Sequence, residues 1–380
     1  MNVRHLAILA VPLALLVPAG CQKVATSSDT PEDRNVAITI ADSGCTTDRA
    51  EIPAGPATFK VTNKDAKVVN EAELVNADGR ILGERENLTP GLSASFSLNL
   101  DAGDYTIYCP GAETESAAFK VTGEAKAASQ PPSEVGDQLE QGVAGYADYV
   151  KAQTGQLVTA TKAFTDAVRA GDLDKSKELY GQARVYYERI EPVAESFGDL
   201  DPAIDARAND VEDPTKWTGF HPIEQSLWEK KTAADLTKLA DQLDADVTKL
   251  DGLVQTTTYQ PADLANGATT LLAEVASSKI TGEEERYSHL DLLDFWANVD
   301  GAKRSFDLLT PALKRIDGQL VTTVNERFTD VNHALAQYRD GNSFKLYTDL
   351  TKPQIKELAD KVDALAEPLS KVAEKVVSFK

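Results

Sequence analysis

Residues Glu124–Val135, EAKAASQPPSEV, separate two stretches of the chain that differ in hydrophobic periodicity. Before this segment, apolar and polar residues alternate with a period of two, which is typical of β-strands. After it, apolar residues recur every three or four positions, which is typical of amphipathic helices. The segment itself is polar and contains paired prolines, as linkers often do. The sequence therefore predicts a β domain at residues 36–123, a linker at 124–136 and a helical domain at 137–380.

The β domain is predicted to be a sandwich of about seven short strands. Its strand segments alternate in polarity or are rich in β-branched and aromatic residues: Val36–Ile40, Thr58–Thr62, Ser95–Leu100, Tyr105–Tyr108 and Ala118–Val121. Asp78-Gly79 is a hairpin signal.

The helical domain is predicted to be an α-helical bundle, either a single bundle or two stacked ones. The periodic segments are Leu139–Ala170, Leu173–Phe197, Ile223–Leu253, Ala262–Ser278, Tyr287–Ile316, Val321–Tyr338 and Ile355–Val377. Breaks between them coincide with glycines and prolines, including Gly171, Pro261 and Gly318.

The first twenty residues have the features of a secretory signal. Arg4 supplies a positive charge, and an apolar run follows from Leu6 to Val17. Small residues then precede Cys21, which is the arrangement of a lipoprotein signal. We expect a signal peptide at 1–20, a lipidated Cys21 and a polar tether at 21–35. The protein would then be exported and attached by lipid to the membrane, in the periplasm or on the outer face of the cytoplasmic membrane.

The 380-residue chain is strongly acidic, with 60 Asp and Glu against 39 Lys and Arg and a formal net charge of -21. Nucleic-acid binding requires concentrated basic residues, so this composition argues against a nucleic-acid partner. It suits a surface that attracts cations.

Cys45 and Cys109 form a possible pair if Cys21 carries lipid. Export implies an oxidising compartment, where a disulfide is the ordinary outcome. Two metal-binding thiolates or two unpaired buried cysteines are the alternatives.

Gly219-Phe220-His221-Pro222-Ile223-Glu224 places an imidazole three residues before a carboxylate. Proline favours the first helical position, so His221 is predicted to cap a helix beginning at Pro222. The two side chains would then meet at the helix start, either as a simple cap or as a metal or acid–base pair. Histidine is a poor helix cap, which weakens the first alternative.

Two other carboxylate groups have helical spacing. Glu188, Glu191 and Glu195 lie at i, i+3 and i+7, followed by Asp205, and form either a solvated acidic stripe or a cation site. Glu285 and His289 lie at i and i+4, where a half-buried histidine with its own carboxylate competes with a secondary metal site. His333 is assigned no role.

These motifs together resemble the imelysin-like family, and in particular its EfeO-type iron-uptake lipoproteins. The resemblance rests on Gly219, His221 and Glu224 and on three flanking segments, which are Tyr187–Pro192, Lys279–His289 and Ala297–Ala302. It implies a metal site built from His221, Glu224, Glu188, Glu191 and Asp205. Carboxylates with one imidazole suit ferric or ferrous iron and would also accept zinc or copper. No organic cofactor is implied.

The β domain resembles the cupredoxin-like module of the same proteins, through Glu84–Asn87, Pro90-Gly91 and Gly103–Tyr105. Residues 36–123 contain no His and no Met, which excludes a blue-copper centre. The resemblance suggests a different metal site made of Cys45, Cys109, Glu71 and Glu73, in direct competition with the disulfide.

The function implied by the resemblance is that of the extracytoplasmic component of an iron-uptake system. Its partners would be a membrane iron permease and a haem-dependent peroxidase. The alternative is a cell-envelope metallopeptidase of the imelysin type, but a zinc peptidase needs more histidine ligands than this motif offers. A passive adhesin or polysaccharide-binding module is a third possibility, and the sequence offers no aromatic platform for it.

Overall fold

The computed structural model describes residues 34–123, 134–211, 213–341 and 343–379. The predicted signal peptide, the lipidation site Cys21, most of the tether and most of the linker lie outside these residues. Residues 34–123 form a β-sandwich, and the residues from 134 onward are mainly helical. The predicted fold class, a β-sandwich followed by a helical bundle, is confirmed.

The sandwich consists of two sheets, with strand orders β2-β1-β4-β7 and β3-β9-β8-β5-β6. The strands are β1 (Asn35–Ala41), β2 (Gly44–Thr47), β3 (Glu51–Pro53), β4 (Gly55–Asn63), β5 (Ala72–Asn76), β6 (Ile81–Arg85), β7 (Ser93–Leu100), β8 (Gly103–Tyr108) and β9 (Ser116–Thr122). Alternation buries one face of β1, so that Val36, Ile38 and Ile40 all enter the core. The short β2 and β3 account for the difference from the seven predicted strands.

Cys45 in β2 and Cys109 after β8 form a disulfide that joins the two sheets, with their Cα atoms 6.2 Å apart. This corrects the alternative in which both cysteines bind a metal, because sulfur atoms bonded to each other offer no thiolate.

The helical domain contains six long helices and several short ones within its described residues. They are α1 (Glu134–Arg169), α2 (Leu173–Glu188), α3 (Glu191–Ala194), α4 (Leu200–Asp205), α5 (Phe220–Trp228), α6 (Thr237–Val254), α7 (Pro261–Ser277), α8 (Asp291–Ala336), α9 (Lys352–Leu369) and α10 (Val372–Val377). A small hairpin, Arg339–Asp340 with Ser343–Phe344, follows α8. The predicted break near Gly318 is a kink at Asp317, inside α8. No helix in the described part of the chain is long and apolar enough to cross a membrane.

Three predicted helix boundaries are wrong. The segment Ile223–Leu253 forms two helices, because Lys231 and Asp235 adopt left-handed backbone between α5 and α6. The helix predicted to run through Pro192 ends at Glu188 instead. Because of this break, Glu188 and Glu191 do not share one helix face.

The third boundary concerns Glu285 and His289, which were predicted to share a helix face. They lie in a turn before α8, and the turn ends with His289 in a left-handed conformation (φ 60°). A backbone hydrogen bond of 2.7 Å, from His289 N to Glu285 O, links the two residues.

Helix α7 connects the two domains. The Arg85 guanidinium donates to Thr270 Oγ1 at 2.9 Å, and Asn266 Nδ2 donates to the Ser97 carbonyl at 2.8 Å. Arg80 adds a hydrogen bond to the Thr258 carbonyl just before α7, at 2.7 Å. These contacts hold the sandwich against the helical domain. A cavity lies between the two domains.

Candidate metal centre

The close approach of α4 and α5 positions His221. Gly219 precedes α5 with φ 90° and ψ -157°, a conformation that only glycine adopts readily. A Cβ atom at Gly219 would lie 2.1 Å from the Ile204 carbonyl oxygen, so glycine is needed for this contact. His221 is the second residue of α5 and not its cap, which corrects that prediction. It is 1% exposed.

The imidazole of His221 lies between three carboxylates. Nδ1 is 3.1 Å from Glu224 Oε2, while Nε2 is 3.4 Å from Asp205 Oδ1 and 3.9 Å from Glu284 Oε1. Although Asp205 is within ion-pair distance, Nε2 makes no well-formed hydrogen bond. Asp205, His221 and Glu284 can each present one ligand atom within 4.8 Å of the others.

Glu224 is fully buried and holds the imidazole in place. Its Oε1 accepts hydrogen bonds from Tyr287 N at 2.9 Å and Ser288 N at 2.6 Å, and its Oε2 faces His221 Nδ1. A carboxylate that accepts the Nδ1 proton leaves the Nε2 lone pair available to a metal ion. Glu224 therefore orients the ring, while Asp205 and Glu284 lie on the Nε2 side.

The charges around His221 set its protonation. Burial and the nearby Arg184 favour the neutral ring, but the contacts with Asp205 and Glu224 outweigh them and raise the pKa of His221 to about 9. Burial acts against the charged form of Asp205, yet the attraction of Arg184 and His221 holds the pKa of this carboxyl well below its usual range. Without a metal ion, His221 is thus a cation at neutral pH.

Arg184 on α2 is a cation whose side chain is fully buried. Its guanidinium contacts carboxylates contributed by α2, α4, the turn before α8 and α8 itself: Glu188, Asp205, Glu284, Glu285 and Asp294. The guanidinium is planar and carries several donors, which suits it to bridging carboxylates from different helices.

Glu188 and Glu191 form a second group beside Lys279 rather than with His221. The Lys279 ammonium bonds to Glu191 and lies 3.6 Å from Glu188 Oε2. Asn298 Nδ2 donates to both Glu188 and Glu191. The predicted ligands Glu188 and Glu191 are therefore both engaged by donors of the protein itself. They form no hydrogen bond or ion pair with His221.

A cavity of about 910 Å³ separates the sandwich from the helical domain. Among the described residues, its carboxylates come from the sandwich (Glu71, Glu73, Glu84, Glu86) and from the helical domain (Glu191, Asp199, Asp201, Asp205, Asp210, Glu274, Glu284). Asp205 and Glu284 belong both to this wall and to the His221 group. The cavity is an acidic chamber that borders the candidate metal centre.

Comparison with known proteins identifies the family. The imelysin family profile matches residues 142–372, and a cupredoxin-like domain profile matches residues 7–118. The chain belongs to the imelysin family. Two curated relatives, both named "Iron uptake system component EfeO", come from Escherichia coli O1:K1 and from Escherichia coli strain K12. They are 40% and 39% identical to this chain, each over 92% of both proteins.

A solved structure has a similar fold. It is a crystal structure from Parabacteroides distasonis, described as a candidate iron-regulated protein A precursor. It superposes with a TM-score of 0.54 at 17% identity, covering 66% of this chain and 97% of that one. At this identity the likeness shows the fold alone.

The structure brings three of the five residues assigned to this imelysin site into one group: His221, Glu224 and Asp205. Glu285, assigned to a secondary site with His289, instead contacts Arg184 at 2.7 Å and lies next to the His221 group. Glu284 was not singled out by the sequence, although it lies in the segment Lys279–His289, within the run Glu283-Glu284-Glu285. Three adjacent glutamates carry no signal of which ones point inward, and only Glu283 is exposed.

In the sandwich, Glu71 and Glu73 form a carboxylate group with Glu84. Burial and the adjacent Glu73 raise the pKa of Glu71 to about 8, and burial raises the pKa of Glu73 to about 7. These carboxylates face the cavity, whereas Cys45 and Cys109 are engaged with each other.

Proposed function

We propose that this protein is an extracytoplasmic, lipid-anchored binding protein that captures iron and delivers it to a membrane permease. A haem-dependent peroxidase would be its other partner in the uptake system. The observation that carries the proposal is the His221 group: a buried imidazole whose Nε2 lies 3.4 Å from Asp205 Oδ1 and 3.9 Å from Glu284 Oε1, beside an acidic cavity. The names of its relatives, iron uptake system components, support iron as the cargo.

The donor set favours capture over hydrolysis. Two carboxylates and one imidazole suit iron, and would also accept zinc or copper. A peptidase of this type would need Glu224 as a free base. Instead, both Glu224 oxygens are engaged, by two backbone N–H groups and by His221, and the side chain is fully buried. These contacts support a role for Glu224 in orienting His221.

The test is a titration of purified protein with Fe²⁺ under anaerobic conditions. We expect His221→Ala to lower the affinity at least about 100-fold, because it removes the only imidazole of the group. The matched control is His333→Ala, which removes an exposed histidine from α8 and should bind like the wild type. Equal binding by both variants would refute the site. Peptide hydrolysis that is lost on chelation and in Glu224→Gln would favour the peptidase instead.

Metal binding is expected to be strongly pH-dependent. The pKa of His221 is raised to about 9 in the metal-free protein, so a metal ion must displace a proton from Nε2 below that pH. The apparent affinity should therefore rise about tenfold per pH unit from pH 6 to pH 8 and level off near pH 9. Calorimetry in two buffers of different ionisation enthalpy would measure the released proton. A pH-independent affinity in this range would contradict the assignment of Nε2 as a ligand atom.

A further inference from the structure

Two cationic side chains, Arg207 and Lys279, line the cavity next to the His221 group. Glu284 contacts both cations and His221. Its Oε1 lies 3.9 Å from His221 Nε2 and 3.5 Å from Lys279 Nζ, and its Oε2 lies 3.2 Å from Arg207 Nη1. Glu274 forms ion pairs with the same two cations, at 3.4 Å from Arg207 and 4.0 Å from Lys279. This ion-pair cluster therefore lies on the cavity wall beside the imidazole.

Lys279 is placed differently from Arg207. It is 1% exposed, and its ammonium lies among four carboxylates: Glu188, Glu191, Glu274 and Glu284. Asn298 Nδ2 also donates hydrogen bonds to Glu188 and Glu191. The ammonium thus occupies a pocket of carboxylate oxygens, which is also the environment that a hard metal cation prefers. The adjacent Nε2 of His221 is buried and makes no hydrogen bond.

We infer that Lys279 is an internal counter-ion of the metal centre, which the cargo cation displaces when it binds. In the empty protein the ammonium stabilises the buried carboxylates against their mutual repulsion. When iron enters from the cavity and binds Glu284 and His221, the ammonium swings out into the cavity and the carboxylates turn to the metal. This inference rests on the proposed function.

The chemistry of the side chain suits this exchange. Lysine carries a compact, strongly hydrated charge on a flexible four-carbon stem, so it can leave for water, and the cavity wall that it lines provides the space. The guanidinium of Arg207 is planar and is held by Asp210, Glu274 and Glu284 together. We therefore expect Arg207 to keep its position when the metal ion binds. The exchange also selects for charge, because a divalent or trivalent ion gains more from the carboxylates than the ammonium loses. A monovalent ion has no such advantage.

Amine labelling of the wild-type protein tests the displacement directly. Native protein is acetylated briefly, with and without Fe²⁺ under anaerobic conditions, and each lysine is quantified by mass spectrometry. We expect acetylation of Lys279 to rise at least about tenfold on loading, since a buried amine becomes exposed. Lys249, an exposed lysine on the same cavity, is the internal control and should react equally in both states. Protection of Lys279 in both states would overturn the inference.

Two matched variants give an independent measurement. Lys279→Met keeps the length of the side chain and removes the competing charge, so it should bind Fe²⁺ at least about tenfold more tightly than Lys249→Met, which removes a charge from the cavity surface. Equal affinities would overturn the inference, and if Lys279→Met does not fold, the labelling decides alone. Wild-type protein that binds no Fe²⁺ would instead refute the proposed function. Binding with Lys279 still protected would refute only the displacement.

Discussion

Replacement of Arg184 by methionine is expected to lower the unfolding temperature of the metal-free protein by roughly 10–15 °C. Arg184 is fully buried and contacts five carboxylates, among them Glu188 and Asp294. Removing one partner of a buried ion pair typically costs about 3–5 kcal/mol, because the other charge is left without compensation in the interior. Here several carboxylates lose the same partner at once, so the loss should reach at least the upper end of that range.

Thermal unfolding followed by circular dichroism at 222 nm, with a chelator present, measures this effect. The matched control is Arg327→Met on α8, where the side chain is exposed and its pair with Asp330, at 3.1 Å, is at the surface. Exposed pairs contribute about 0–1 kcal/mol, so the control should unfold close to the wild type. If Arg184→Met unfolds within roughly 2 °C of the control, the central role of this guanidinium is refuted.

Gly219→Ala is the second change for which we expect a large effect. The backbone of Gly219 lies in a region that costs an L-residue about 1–3 kcal/mol. The new Cβ would also lie 2.1 Å from the Ile204 carbonyl oxygen, so α4 and α5 must move apart. Asp205 ends α4 and His221 lies at the start of α5, so this movement separates two proposed ligands. We expect a destabilisation of about 3 kcal/mol and a loss of roughly 10–100-fold in metal affinity.

Chemical denaturation and anaerobic Fe²⁺ titration of the same preparation separate the two effects of Gly219→Ala. The control is Gly252→Ala in α6, where an added Cβ would meet no atom within 4 Å. Alanine is the better helix former by about 1 kcal/mol, so this control should be slightly stabilised and bind metal normally. Wild-type affinity in Gly219→Ala would show that the approach of α4 to α5 does not set the metal geometry.

Strands and helices that have a clear hydrophobic periodicity in the sequence were predictable. The alternation in Val36–Ile40 corresponds to β1, and the helical period of Leu139–Ala170 corresponds to α1, which begins a few residues earlier. The helix boundaries at Glu188 and Trp228 were missed because they depend on tertiary contacts and on left-handed residues such as Lys231, which hydrophobic periodicity does not register.

The sequence by itself determined the division into a β-sandwich and a helical domain, and it determined the pairing of His221 with Glu224. Both depend on interactions between residues close in the chain, where spacing dictates which side chains meet. Only the tertiary structure decided which carboxylates face His221 Nε2 and which are taken by protein cations. Arg184 meets Glu284 across 100 residues, and Lys279 meets Glu191 across 88. The fate of a buried charge depends on such distant partners, since burial without one is too costly to persist.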